Sequence, residues 1–255
     1  MRIAPSIRGT AAVMAVVIAV FWLVSTAFPD CVFSAYMETR RWLAAAGPIE
    51  KLETARPKPR DAVPCSGTIA SIKPAVPDKY FPPGVLRCNE RQEEFVTNWY
   101  SEQLKALGEP SLWALSRSDS QARVYRFFWL RSFHHPVSVR VIINSDLTGV
   151  LILKITGGAG GYAPGDLIRK ESMPLGKNGT ALLLARVLQT HLWELPTRGG
   201  TGGNDGASWI LEAVADGKYQ VVDRWSPGEA DPVYALGMTF ITHLAGLQID
   251  PKEVY

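Results

Sequence analysis

The stretch that decides the fold is Gly206-Ala207-Ser208-Trp209-Ile210-Leu211-Glu212-Ala213-Val214-Ala215-Asp216-Gly217-Lys218-Tyr219-Gln220-Val221-Val222-Asp223-Arg224-Trp225. Two apolar runs flank Asp216-Gly217, a dipeptide suited to the positive φ angles of a two-residue hairpin turn. With that loop, Ala215 faces Lys218. Counting back pairs Glu212 with Val221, Ile210 with Asp223 and Trp209 with Arg224. Side chains alternate between faces along a strand, so Glu212 and Asp223 become diagonal neighbours on one face, with backbones about 7–8 Å apart. Trp209 and Arg224 meet on the other, at cation–π range.

Further strands are expected before this hairpin in the chain. Arg123–Phe133 places Tyr125, Phe127, Trp129 and Phe133 on one face and Phe128 and Leu130 on the other. A run apolar on both faces belongs in the middle of a sheet. Val137–Ile143 and Val150–Ile155 flank the turn Asn144–Gly149 and predict a hairpin, and Leu167–Met173 is a further candidate strand. Helices are expected from Asn89, which caps a run carrying Phe95, Val96, Trp99, Tyr100, Leu104 and Leu107 before Gly108. A second is expected over 177–193, with Leu183, Leu184, Val187, Leu188, His191 and Leu192 inward. The last runs from Asp231-Pro232 to Gly246, with Val233, Leu236, Phe240, Ile241 and Leu244 inward. The fold class expected is α+β: an antiparallel β-sheet with packed helices, preceded by one N-terminal transmembrane helix.

That leading helix is read from 255 residues of which 47% are hydrophobic. Gly9–Pro29 carries no charged side chain, and residues 9–28 just reach the roughly 20 residues that cross a bilayer core. Residues 1–29 are taken as a transmembrane signal anchor, with Arg2 and Arg8 holding the start of the chain in the cytoplasm. A signal peptide cleaved after Ala27 in Ser25-Thr26-Ala27 is the alternative, giving a secreted protein. Both readings export the rest. The first places it in a bacterial inner membrane, single-pass, with a periplasmic C-terminal domain and the membrane as partner through residues 9–28. Residues 47–88 hold eight prolines, so 30–88 is read as a proline-rich tether and 89–255 as the periplasmic α+β domain.

Export gives the three cysteines meaning, since an oxidising compartment permits disulfides. Cys65 and Cys88 flank a proline-rich loop and are paired in this reading, which leaves Cys31 over. Lys and Arg total 27 against 24 for Asp and Glu, and two of the basic residues precede the apolar run. The remainder is nearly neutral, which speaks against nucleic acid as a partner.

Motifs for chemistry are sparse. Gly157-Gly158-Ala159-Gly160-Gly161-Tyr162-Ala163 loosely resembles a dinucleotide loop, but Pro164-Gly165 follows and no helix begins, so a mobile loop between strands is expected. Arg198–Gly206 is glycine-rich without a Lys-Ser/Thr ending and reads as a connector, or as a flap over a ligand. His134-His135 point to opposite faces of a strand and cannot readily share a metal, so no metal and no cofactor is expected. Glu212 and Asp223 are the candidate catalytic pair, under an alternative reading in which the protein hydrolyses an envelope polymer by acid–base chemistry. A cleft over both would support it; burial of that face beneath helix 231–246 would remove it.

Asp205-Gly206-Ala207-Ser208-Trp209-Ile210-Leu211-Glu212, with Tyr219 and Asp223-Arg224-Trp225-Ser226-Pro227, resembles a signature of an uncharacterised family of exported or membrane-anchored bacterial proteins. Trp129–His134 and Gly160–Gly165 are similar to the same group, so the likeness covers roughly residues 120–247. It implies no activity and no catalytic residues. It does imply that arginines and tryptophans act together, and the candidate binding residues are Trp209, Arg224, Asp205, Arg131 and His134. The leading expectation is an envelope protein whose exported domain binds a protein or envelope component without catalysis. A secreted inhibitor-like module is a third reading.

Overall fold

The computed structural model describes residues 79–200 and 202–255. A seven-stranded sheet runs through this part, with helices on both faces. In chain order the elements are α1 (Glu90–Ala106), α2 (Leu112–Ser118), β1 (Val124–Arg131), β2 (Val137–Ile143), β3 (Gly149–Thr156), β4 (Leu167–Leu175), α3 (Lys177–Gln189), β5 (Arg198–Gly199), β6 (Ala207–Ala215), β7 (Lys218–Trp225) and α4 (Pro232–Met238). A π-helical turn, Thr239–Leu244, continues α4, and a short 3-10 turn, Pro251–Glu253, comes later.

The sheet order is β4-β3-β2-β1-β6-β7-β5. β1 is central, as its two apolar faces require, and all eight of its residues are buried. The β6–β7 hairpin has the register expected from Asp216-Gly217: Glu212 opposite Val221, Ile210 opposite Asp223, Trp209 opposite Arg224. Both turn residues have positive φ. The sheet departs from the expected antiparallel pattern at one edge, where the two residues of β5 pair parallel to β7. Nothing in a two-residue strand can be read as periodicity, so this element has no signal of its own.

The two faces differ in chemistry. α1, α2 and the segment from Tyr80 to Leu86 pack on the face carrying Phe128, Leu130, Ile210 and Val221. Phe81 and Leu86 are fully buried there, so the packed body takes in the end of the stretch read as tether and begins before residue 89. α3, α4 and the π turn cover the other face, where Phe127, Trp129, Trp209 and Phe240 form one aromatic cluster.

The helix ends follow local rules. The Asn89 side chain accepts from the Gln92 amide, and Gly108 closes the run at φ +59°. Asp231 accepts from the Val233 amide with Pro232 at the first helical position. Three residues placed inward by their spacing face solvent instead: Phe95 on α1, Leu188 on α3 and His191 just past the end of α3. The narrow stripes of Val96, Tyr100, Leu104 and of Leu183, Val187 already fill the contact with the sheet.

The glycine loop 157–165 joins β3 to β4 and is fastened rather than free. A Cβ on Gly160 would stand 2.6 Å from the Arg131 carbonyl oxygen, so only glycine allows this approach to the end of β1. Trp99 Nε1 donates to the Gly160 carbonyl at 3.0 Å, and Gln103 Nε2 to the Tyr162 carbonyl at 2.7 Å. The second glycine run lies against β7: Gly199 leaves room for the Arg224 guanidinium, and Gly203 and Gly206 for the Trp225 ring.

Candidate functional site

Glu212 and Asp223 do share a face, the one beneath α1 and α2, while α4 covers the opposite one. Neither carboxylate is open to solvent: the Glu212 side chain is 0% exposed and that of Asp223 is 5%. Each has partners. Arg126 Nε donates to Glu212 Oε2 at 2.8 Å, its Nη2 pairs with the same oxygen, and the Tyr219 hydroxyl donates to Oε1 at 2.8 Å. Arg87 Nη1 meets Asp223 Oδ2 at 2.7 Å, and the Tyr100 hydroxyl lies within 3.3 Å of both Asp223 oxygens. Burial pushes the Asp223 carboxyl above its ordinary value, with Arg87 and Tyr100 pulling the other way. Burial and the neighbouring Glu212 charge raise the Tyr219 phenol well above its usual range.

Arg126 also reaches Glu109, at 3.3 Å from Nη1. Glu109 is the residue that sequence reasoning missed. It sits just past the end of α1 and receives Arg126 from β1, Arg140 Nε from β2 at 2.7 Å and Lys154 Nζ from β3 at 2.8 Å. Burial works against its charge, but Arg126, Arg140 and Lys154 together outweigh burial and hold its carboxyl below the usual range. The signal was present in strand parity. Arg126, Arg140 and Lys154 stand in apolar strands on one face, and buried cations need carboxylates. The arrangement holds charge in place and offers no path for a substrate.

The other face carries the residues expected to bind. Trp129 on β1 lies directly opposite Trp209 on β6, which lies opposite Arg224 on β7. The expected Trp209–Arg224 cation–π pair is replaced by two other arrangements. Trp209 stacks on Tyr234 of α4, with ring centres 5.5 Å apart at 21°. Arg224 donates to the carbonyls of Pro196 and Thr197 at 3.1 Å and lies 3.8 Å from Asp231, tying β5 and the start of α4 to β7. The guanidinium that does cover an indole is that of Arg131, 4.2 Å from the Trp129 ring centre.

Arg131, His134 and Trp209 converge at the end of the sheet where β1 finishes and β6 begins. What they hold is the segment Pro251–Tyr255. Arg131 Nη1 pairs with Glu253 Oε2 at 3.1 Å, and His134 Nε2 lies 3.7 Å from Oε1. The Tyr255 hydroxyl meets His134 Nδ1 at 2.8 Å, and Trp209 Nε1 donates to the Tyr255 carbonyl at 2.9 Å. Asp205 is exposed at the rim, close enough that its charge helps raise the Tyr255 phenol, after burial and against Arg131. Arg224 lies apart from this group. Burial lowers the Arg131 guanidinium's affinity for its proton, opposed by Glu253. Two donors here are buried without an acceptor: Arg131 Nε and Trp129 Nε1.

A surface groove of about 570 Å³ opens at the other end of the hairpin, lined by Arg123, Tyr125, Trp193 and Lys218 among others, and contains none of the expected site residues. Among the described residues no group of three or more His, Cys, Asp or Glu is placed to hold a metal, and no helix is long and apolar enough to cross a membrane. Residues 9–28, Cys31 and Cys65 lie outside the described residues. No family model, curated protein or solved structure matches the chain.

Proposed function

We propose that this chain is a membrane-anchored envelope protein whose exported α+β domain is a non-catalytic binding module, recognising a protein partner at the end of its sheet. The observation that carries this reading is the convergence of Arg131, His134 and Trp209 on one short stretch of polypeptide, Glu253–Tyr255. Charge, hydrogen-bond donors and an aromatic platform are combined there, as in peptide-binding surfaces. The buried and paired state of Glu212 and Asp223 favours a structural role for them. Anchoring through residues 9–28, a periplasmic setting and a Cys65–Cys88 bridge complete the proposal and rest on the sequence.

The test is photo-crosslinking in the source cell from a reactive amino acid placed at Asp205, on the rim of the site. A discrete adduct that disappears in an Arg131→Lys background is expected. The absence of any adduct, with the same probe at Arg123 in the distant groove giving one, would move the binding surface elsewhere. Fractionation tests the setting: the intact chain should enter the membrane fraction, and a mature form beginning at Phe28 would replace the anchor with a cleaved leader.

A further inference from the structure

The binding module proposed above leaves its ligand undefined, and the site's present occupant defines it. The segment 250–255 behaves as a strap laid across the sheet end. Its own secondary structure is one 3-10 turn, Pro251–Glu253, capped by Asp250. Four polar contacts hold it, Glu253 with Arg131 and His134 and Tyr255 with His134 and Trp209, and Val254 and Tyr255 pack half-buried against the aromatic face. The Glu253 carboxylate is 44% exposed, and ion pairs that open to water are weak. Two of the receiving groups are buried: Trp209 is fully buried and the Arg131 side chain is 7% exposed, while His134 is half-buried. The most water-exposed part of the contact is therefore on the strap, at Glu253.

The fit is also incomplete. A guanidinium offers carboxylates two edges, Nη1 with Nη2 and Nε with Nη2. Glu253 engages Nη1 of Arg131, while Nε remains buried with no acceptor, as does Trp129 Nε1 beside it. A buried donor left unmade is costly and is uncommon in folded proteins. Arg131 Nε marks a place where a ligand can offer an acceptor that the strap does not.

Resting on the binding-module reading, we propose that the sheet end accepts a partner protein's peptide bearing a carboxylate two residues before a tyrosine, and that the strap 250–255 is an intramolecular stand-in which such a peptide displaces. The carboxylate docks between Arg131 and His134, the phenol meets His134 Nδ1, and the Trp209 indole holds the tyrosine carbonyl. A peptide that places a second acceptor on Arg131 Nε, on the guanidinium edge that Glu253 does not use, outcompetes the strap.

The experiment uses the full chain in detergent micelles and a fluorescein-labelled hexapeptide, Asp-Pro-Lys-Glu-Val-Tyr, read by anisotropy. Wild type is compared with the unlatched double variant Glu253→Gln/Tyr255→Phe. The unlatched chain should bind the peptide at least about tenfold more tightly than wild type. The gain should vanish with Gln in place of Glu in the peptide, and vanish again when Arg131→Lys is added to the unlatched chain. Equal binding to both chains overturns the proposal. Loss of a cooperative melt in the unlatched chain overturns it too, because the strap would then be part of the core. A dimer that exchanges straps makes a second copy the occupant and overturns it as well. If the peptide fails while the Arg131-dependent crosslink from position 205 persists, the displaced-strap proposal falls and the binding-module reading stands.

Discussion

The two faces of the sheet solve opposite problems with the same strands. Beneath α1 and α2, Arg126, Arg140 and Lys154 are paired with Glu109 and Glu212, so that face is fixed by charge pairing. Beneath α3 and α4, Phe127, Trp129, Trp209 and Phe240 interlock, so that face is fixed by shape. Paired buried charges tolerate no loss of a partner, whereas an aromatic cluster transmits local changes of fit. The carboxylates with an enzyme-like spacing fall on the charge-paired face. The residues that hold the segment Glu253–Tyr255 fall at the end of the aromatic face.

The largest expected effect comes from Arg126→Ala. It strands Glu212, whose side chain has no exposure, beside a Tyr219 hydroxyl alone. Removing one member of a buried pair costs about 3–5 kcal/mol, enough to unfold a marginal domain. Urea denaturation should show this loss, and a change under about 1 kcal/mol would mean that the charge-paired face does not hold the fold.

Glu109→Gln should come next, at about 2–4 kcal/mol near neutral pH, because Lys154 and Arg140 lose their shared carboxylate. It should also change the pH profile. The Glu109 carboxyl is lowered in the folded protein, so its contribution is complete above the ordinary glutamate value of about 4.3 and is lost as pH falls through the folded value. The variant should lack that acid loss. Asp223 has the opposite sign: its raised value makes stability fall as pH rises from about 3.9 through the folded value, and Asp223→Asn should remove that slope. Denaturation midpoints from about pH 3 to 7 (about 1 unit below and about 3 units above the ordinary values) distinguish the two.

On the aromatic face, Gly237→Ala probes shape alone. Its Cβ would stand 2.5 Å from the Trp209 ring, backed by Phe127 at 3.1 Å. Overpacking of this kind costs about 1–3 kcal/mol, and here it should also shift Trp209 against Tyr255 and change near-ultraviolet circular dichroism. The smallest effect is expected at a helix end remote from both systems. Asn89→Ala should cost about 1 kcal/mol in the urea midpoint and leave the near-ultraviolet spectrum unchanged.

Much of this architecture was legible because its causes are local. Asn89, Gly108, Asp231-Pro232 and Asp216-Gly217 act within four residues of themselves, and each element they bound is where spacing put it. β1 could be placed centrally because both of its faces are apolar. α2, the π turn and β5 have no such marks. The site was half visible. Strand parity brought Glu212 and Asp223 to one face, but parity cannot say that Arg126 and Arg87 would neutralise them, since those partners come from positions 86 and 136 residues away. Arg131, His134 and Trp209 stood out by residue type. Their partner, Glu253 to Tyr255, lies more than 120 residues from Arg131, in a stretch with no periodic pattern.

The most direct test of the central claim, that the sheet end is a site whose occupant can leave, is hydrogen exchange on the Trp209 indole and the amides of Val254 and Tyr255, compared with the amides of β1 and β6. The strap and the indole should exchange at least about a hundredfold faster than the strands, as expected of local opening with the sheet intact. Exchange of all of them together, at the slow rate of global unfolding, would show that the strap is an ordinary part of the core and would contradict the account.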